Sequence, residues 1–107
     1  MMMRKFITSL LLCLAVCFAA TASPSFINMT MQSHGLSNDG VRSILVDSRG
    51  YVWVGTYMGL NRYDGTRMKS YTRRDIGIDA NYVGALCEDS TGQVWIGTSR
   101  GVAVYDY

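Results

Sequence analysis

The sequence is short of the side chains from which covalent staples, metal clusters and acid–base sites are built. It has three cysteines and one histidine in 107 residues. Cys13 and Cys17 fall in an apolar N-terminal stretch, which leaves Cys87 alone in the rest of the chain. One thiol makes no internal disulfide and no metal cluster. Between Leu86 and Glu88 in an extended run, it reads as a small packing residue. His34 has no partner at a ligand or catalytic spacing and reads as a solvated loop residue. No acid/base pair, metal site or cofactor site is expected.

Excess charge of one sign is missing too. The formal net charge of +2 comes from Arg4 and Lys5, and the residues after Ser23 hold eight acidic and eight basic side chains. That removes the simplest case for nucleic-acid binding, which needs a basic face. Sustained helical periodicity is also absent.

The N-terminus is the exception to this even composition. Arg4 and Lys5 precede an unbroken run of apolar or small residues from Leu10 to Ala20, and Ala20-Thr21-Ala22 is a small-x-small site. The pattern predicts a signal peptide over 1–22, cleaved before Ser23. A membrane-spanning helix needs roughly 20 apolar residues, whereas Phe6 to Ala22 is shorter and contains Thr8, Ser9 and Thr21. An uncleaved signal anchor is the alternative. A lipoprotein site at Cys17 fits less well, because Val16 stands where a small residue is favoured.

The rest of the chain repeats. Phe26–Gly65 aligns with Met68–Tyr107 at an offset of 42 without a gap, and thirteen of the forty pairs are identical. Val41, Asp47, Ser48, Gly50, Val52, Trp53, Gly55, Thr56, Gly59, Tyr63 and Asp64 recur as Val83, Asp89, Ser90, Gly92, Val94, Trp95, Gly97, Thr98, Gly101, Tyr105 and Asp106. Tryptophan, glycine, aspartate and tyrosine matches argue against chance.

Each unit predicts strands joined by tight turns. Val41–Val46 is the first strand. Asp47-Ser48-Arg49-Gly50 suits a type I turn, with Asp first and Gly last. Tyr51–Thr56 is the second strand, Tyr57-Met58-Gly59 the next turn and Leu60–Tyr63 the third strand. Asp64-Gly65 signals a two-residue hairpin, and Thr66–Thr72 an outer fourth strand. Four short strands in about 40–45 residues is the spacing of a propeller blade. Val52-Trp53-Val54 and Val94-Trp95-Ile96 read as strands covered on both faces. Helical repeats and a parallel β-helix fit neither the strands nor the Asp-Gly turn.

The expected fold is therefore an all-β, incomplete β-propeller behind a signal peptide. Residues 23–35 carry an outer strand and linker, 36–77 form blade 1, and 78–107 form a truncated blade 2. Phe26–Thr30 aligns with the outer strand Met68–Thr72, so it is expected to complete a blade built mostly by later residues and thus to close the ring. Repeat units bury their faces only against neighbours, and about three are usually needed. Alone, the chain is expected to fold poorly or aggregate.

The block from Gly35-Leu36-Ser37-Asn38 through Val52-Trp53-Val54-Gly55-Thr56 to Gly59-Leu60-x-Arg62-Tyr63-Asp64 resembles the two-component regulator propeller repeat. Blade 2 is similar at Gly92-x-Val94-Trp95-Ile96-Gly97-Thr98 and Gly101-Val102, and departs from the usual ending at Ala103-Val104. The resemblance implies the periplasmic sensor region of a Bacteroidetes-type hybrid two-component system, with further blades and sensor domains, a membrane span and a cytoplasmic histidine kinase. Such receptors commonly sense glycan fragments, so an oligosaccharide is the implied ligand and a membrane-anchored, dimeric parent the implied context. None of the kinase chemistry lies in this chain, which is not itself an enzyme.

Packing between blades accounts for Trp53 and Trp95 better than sugar stacking does. Asp47 and Asp89 suit turns better than calcium, for which Asp-Ser-x-Gly supplies too few oxygens. Propeller ligands usually bind on the face formed by inter-blade loops and the turns between second and third strands. That places Tyr57, Arg73, Arg74, Asp75 and Arg100 as candidate ligand contacts. A secreted protein-binding scaffold is the alternative function. A quinoprotein-type enzyme fits less well, because Asp89-x-Thr91-Gly92-x-x-Trp95 is too closely spaced and blade 1 has Arg49 in place of Thr91.

Overall fold

The computed structural model describes residues 25–77 and 81–107. The predicted signal peptide and a short part of the loop between blades lie outside the described residues. Among the described residues, no helix is long and apolar enough to cross a membrane.

Among the described residues, seven antiparallel strands form two sheets. The first has the order β1-β2-β3-β4, with β1 Val41–Val46, β2 Val52–Thr56, β3 Gly59–Tyr63 and β4 Met68–Tyr71. The second has the order β5-β6-β7, with β5 Val83–Glu88, β6 Val94–Thr98 and β7 Gly101–Tyr105. Both registers repeat. Val46↔Val52 and Thr56↔Gly59 in the first sheet become Glu88↔Val94 and Thr98↔Gly101 in the second. Even the irregularity in the first strand recurs, between Val41 and Ser43 and again between Val83 and Ala85. Up-and-down sheets of this kind are what the repeat length and strand composition predict.

The first turn behaves as expected: Gly50 N–H donates to Asp47 O at 3.0 Å, and Gly92 N–H donates to Asp89 O at 3.1 Å. The Asp64-Gly65 turn does not. Tyr63 pairs with Met68, so four residues separate β3 from β4. The Asp64 carboxylate accepts from the N–H groups of Thr66 and Arg67, both at 2.7 Å, and these bonds stabilise a wider loop than the dipeptide suggested.

Two single helical turns, Met31–His34 and Arg73–Ile76, stand where loops were expected. Thr30 and Ser33 cap the first reciprocally, with the Thr30 N–H on Ser33 Oγ at 3.0 Å and the Ser33 N–H on Thr30 Oγ1 at 3.1 Å. Gly35 at φ 76° and Gly77 at φ 85° end the two turns in the left-handed conformation that glycine adopts without a Cβ penalty. His34 accordingly lies in a helical turn, half-buried, with its ring edge-on to Tyr63. Residues 25–30 are exposed or half-buried and belong to no strand, so the outer strand expected over Phe26–Thr30 is not formed among the described residues.

The core lies between the sheets. Trp53 and Leu60 of the first pack with Val83, Val94 and Ile96 of the second, alongside Tyr71. Fully burying an aliphatic or aromatic side chain contributes roughly 1.5–3 kcal/mol, so this joint is a substantial apolar contribution among the described residues. Gly55 marks the closest approach. A Cβ there would sit 2.6 Å from the backbone oxygen of Val83. Two expectations about packing fail for a common reason. Trp95 is 45% exposed and Cys87 is exposed, because no further blade covers this side of the second sheet among the described residues.

Candidate functional site

Each tryptophan is held by the aspartate that also forms the turn. Trp53 Nε1–H donates to Asp47 Oδ2 at 2.8 Å, and Trp95 Nε1–H donates to Asp89 Oδ2 at 2.8 Å. The other oxygen of Asp47 accepts from the N–H groups of Arg49 and Tyr51, and that of Asp89 from Thr91 and Gln93, at 2.9–3.0 Å. Partial burial alone would push the Asp47 carboxyl up, but hydrogen bonds from Tyr107, Trp53 and two backbone groups hold it below the usual carboxylate range. Trp95 and Thr91 pull Asp89 down to about 2. Both carboxylates spend their acceptor capacity on a turn and an indole, which makes them structural anchors.

Thr56 and Thr98 repeat as closely. Their hydroxyls donate to Gly59 O at 3.0 Å and Gly101 O at 2.7 Å, and accept from the N–H groups of Met58 and Arg100 at 3.1 Å. These bonds fix the two-residue turns that carry Tyr57-Met58 and Ser99-Arg100.

The blades are joined by contacts across the repeat. Ser48 donates its N–H at 3.0 Å and its hydroxyl at 2.9 Å to the Glu88 carboxylate. Arg62 donates to Tyr105 Oη at 3.2 Å, and its guanidinium lies 4.5 Å from the Tyr51 ring centre and 5.5 Å from that of Trp53. A small pocket of about 160 Å³ opens beside this joint, lined by Leu60, Ile76, Ile96 and Val104 with Asp75 at its edge. No group of three or more His, Cys, Asp or Glu among the described residues is placed to hold a metal ion.

The candidate ligand contacts share one end of the sheets. β2 ends and β3 begins there, β4 leads to β5 there, and the β6–β7 turn lies there. Tyr57 is exposed and belongs to a cluster that sequence reasoning missed. The Arg42 guanidinium sits 5.1 Å from the Tyr57 ring centre and 5.8 Å from that of Tyr82, and Arg42 Nε–H donates to Tyr82 Oη at 3.2 Å. The two rings are 5.6 Å apart and come from different blades. Arg73, Arg74 and Arg100 are exposed. Among the described residues, no hydrogen bond or ring contact joins them to Tyr57. Asp75 is engaged locally, accepting the Thr72 N–H at 2.7 Å and its hydroxyl at 3.0 Å. The rim thus offers two tyrosine rings with a guanidinium over them, and separate guanidinium donors on other turns at the same end.

Two stacked antiparallel sheets in one 42-residue register, each anchored by an Asp–Trp pair, define blades of a β-propeller. Residues 35–58 and 77–100 each match the family described as two component regulator propeller, at equivalent places in the two repeats. No curated protein matches the chain.

Proposed function

We propose that the chain is part of an extracytoplasmic ligand-sensing propeller whose parent sets the activity of a cytoplasmic histidine kinase in a hybrid two-component phosphorelay. The observation that carries this reading is the pair of two component regulator propeller repeats, folded as stacked blades. The charged start and apolar run of the N-terminus support export to the periplasm. The chain supplies recognition and no catalysis, and its parent is membrane-anchored and dimeric.

The ligand is an oligosaccharide. Sugars present apolar ring faces and a rim of hydroxyls, and the Tyr57–Tyr82 pair with Arg42, together with the exposed Arg73, Arg74 and Arg100 at the same end of the sheets, offers both stacking and donors. A glycan array probed with the intact receptor tests this. One class of glycan is expected to be retained, and lost with Tyr57→Ala. Retention of no glycan would overturn the ligand class. Unchanged affinity after Arg73→Ala with Arg74→Ala would remove those two residues from the site.

A further inference from the structure

Arg42 is the extra residue of a β-bulge. Val41 pairs with Thr56 and Ser43 with Gly55, so Arg42 has no partner across the sheet. A bulge re-aims the side chain it carries. Arg42 reaches out of blade 1 to Tyr82 of blade 2, where its Nε–H donates to the phenol oxygen at 3.2 Å. Blade 2 has the same irregularity between Val83 and Ala85, with Gly84 at its centre. The backbone device recurs and the side chain does not.

Tyr57 and Tyr82 break the repeat as well. At the 42-residue offset, Tyr57 corresponds to Ser99 and Tyr82 to Gly40. Each ring is seated on a glycine. A Cβ at Gly40 would overlap the Tyr57 ring, and one at Gly84 would stand 2.7 Å from Tyr82 Cε1. The Asp, Trp, Gly and Thr side chains that build a blade recur at the offset. The Arg and the two Tyr that meet here do not, so building the blade does not require them. They converge on one exposed point at the loop end of the sheets, where a rigid scaffold carries recognition.

The charge of Arg42 is uncommitted among the described residues. The polar groups that bear on it are the phenols of Tyr82 and Tyr57, and no carboxylate is among them. The described carboxylates at this end, Asp39 and Asp75, accept instead from the N–H groups of Met31 and Thr72, each at 2.7 Å. With Nε held by Tyr82, the two Nη groups form the outward edge of the guanidinium. Parallel N–H donors on such an edge match the two oxygens of a planar carboxylate.

We propose that Arg42 receives the carboxylate of a uronic acid in the oligosaccharide, with the sugar ring against the exposed part of Tyr57. This deepens the sensing reading and rests on it. Tyr82 acts as a positioning residue, since it aims the guanidinium from the neighbouring blade. Arg73, Arg74 and Arg100 are exposed at the same end and add a positive field that draws an acidic chain to the rim.

The test is titration of the intact receptor with galacturonate, mannuronate and glucuronate oligosaccharides. Each is paired with its carboxyl-reduced form and with a sulfated neutral chain. One uronate chain is expected to bind about ten-fold more tightly than its reduced form, the factor that a hydrogen bond to a charged group carries. Arg42→Gln is expected to bring the two forms to equal affinity with unchanged circular dichroism. Tyr82→Phe keeps the charge but removes the acceptor that aims it, and is expected to lower the preference part of the way. Neutral chains bound as tightly as acidic ones would overturn this proposal and leave the oligosaccharide reading standing, whereas retention of no glycan would overturn both. Sulfated chains bound as tightly as uronates would overturn the carboxylate assignment. A preference that survives Arg42→Gln would remove Arg42 from it.

Discussion

The indole of Trp53 donates to the Asp47 carboxylate at 2.8 Å, and that same carboxylate ties down the turn six residues earlier. One side chain thus couples a turn to the core tryptophan. Asp47→Ala orphans the indole and two backbone N–H groups around a residue that is fully buried. Each orphaned buried donor costs about 1–3 kcal/mol, so a loss of about 3 kcal/mol is expected. Asp89→Ala should cost clearly less, because water reaches the half-exposed Trp95 and replaces the lost bond. Urea midpoints followed by tryptophan fluorescence check the order. Equal losses would contradict it.

Gly55 and Gly97 occupy the same place in the repeat with different surroundings. A methyl group at Gly55 meets the Val83 carbonyl at 2.6 Å, whereas the nearest atom to one at Gly97 is Ala85 Cβ at 3.2 Å. Gly55→Ala is expected to push the blades apart, expose Trp53 and red-shift its emission. Gly97→Ala should leave the spectrum nearly unchanged. A Gly55→Ala protein with wild-type emission would show that the blades do not approach as described.

Stability should fall at both ends of the pH scale, for opposite reasons. The Asp89 carboxyl lies at about 2, below its ordinary 3.8, through bonds from Trp95 and Thr91. Its contribution is present above pH 3.8 and is lost as pH drops towards 2, with Asp47 acting in the same direction. Burial and the bond to Asp47 push the Tyr107 phenol from 10.0 up to about 12. A raised pKa contributes fully below pH 10 and is lost as pH rises towards 12. Thermal melts at half-unit pH steps should decline in both windows. A flat profile from about pH 4 to about pH 2 would contradict the carboxylate assignment.

Much of the fold was legible because a 42-residue period with tryptophan, glycine and aspartate at fixed places is hard to satisfy another way. The Asp47–Gly50 turn and the inner strands followed from local chemistry. The helical turns did not, since four residues carry no period and only Thr30 and Gly35, or Thr72 and Gly77, mark their ends. The wider Asp64 loop was hidden because its carboxylate bonds to backbone ahead of it, which the dipeptide alone does not specify. Cys87 and Trp95 were expected to be covered, and their exposure reflects packing against neighbours rather than local sequence. The site was the least legible part. Arg42 meets Tyr82 forty residues away only because two blades stack, and neither residue carries a motif.

The stacking of the two blades is the claim on which the rest depends. It is tested most directly by nuclear Overhauser contacts between the Val83 methyls and the Gly55 Hα protons. Strong cross-peaks are expected, because the Val83 Cγ1 lies 2.7 Å from where a Gly55 Cβ would stand. Intact strand signals in both sheets with no Val83–Gly55 contact would contradict the account.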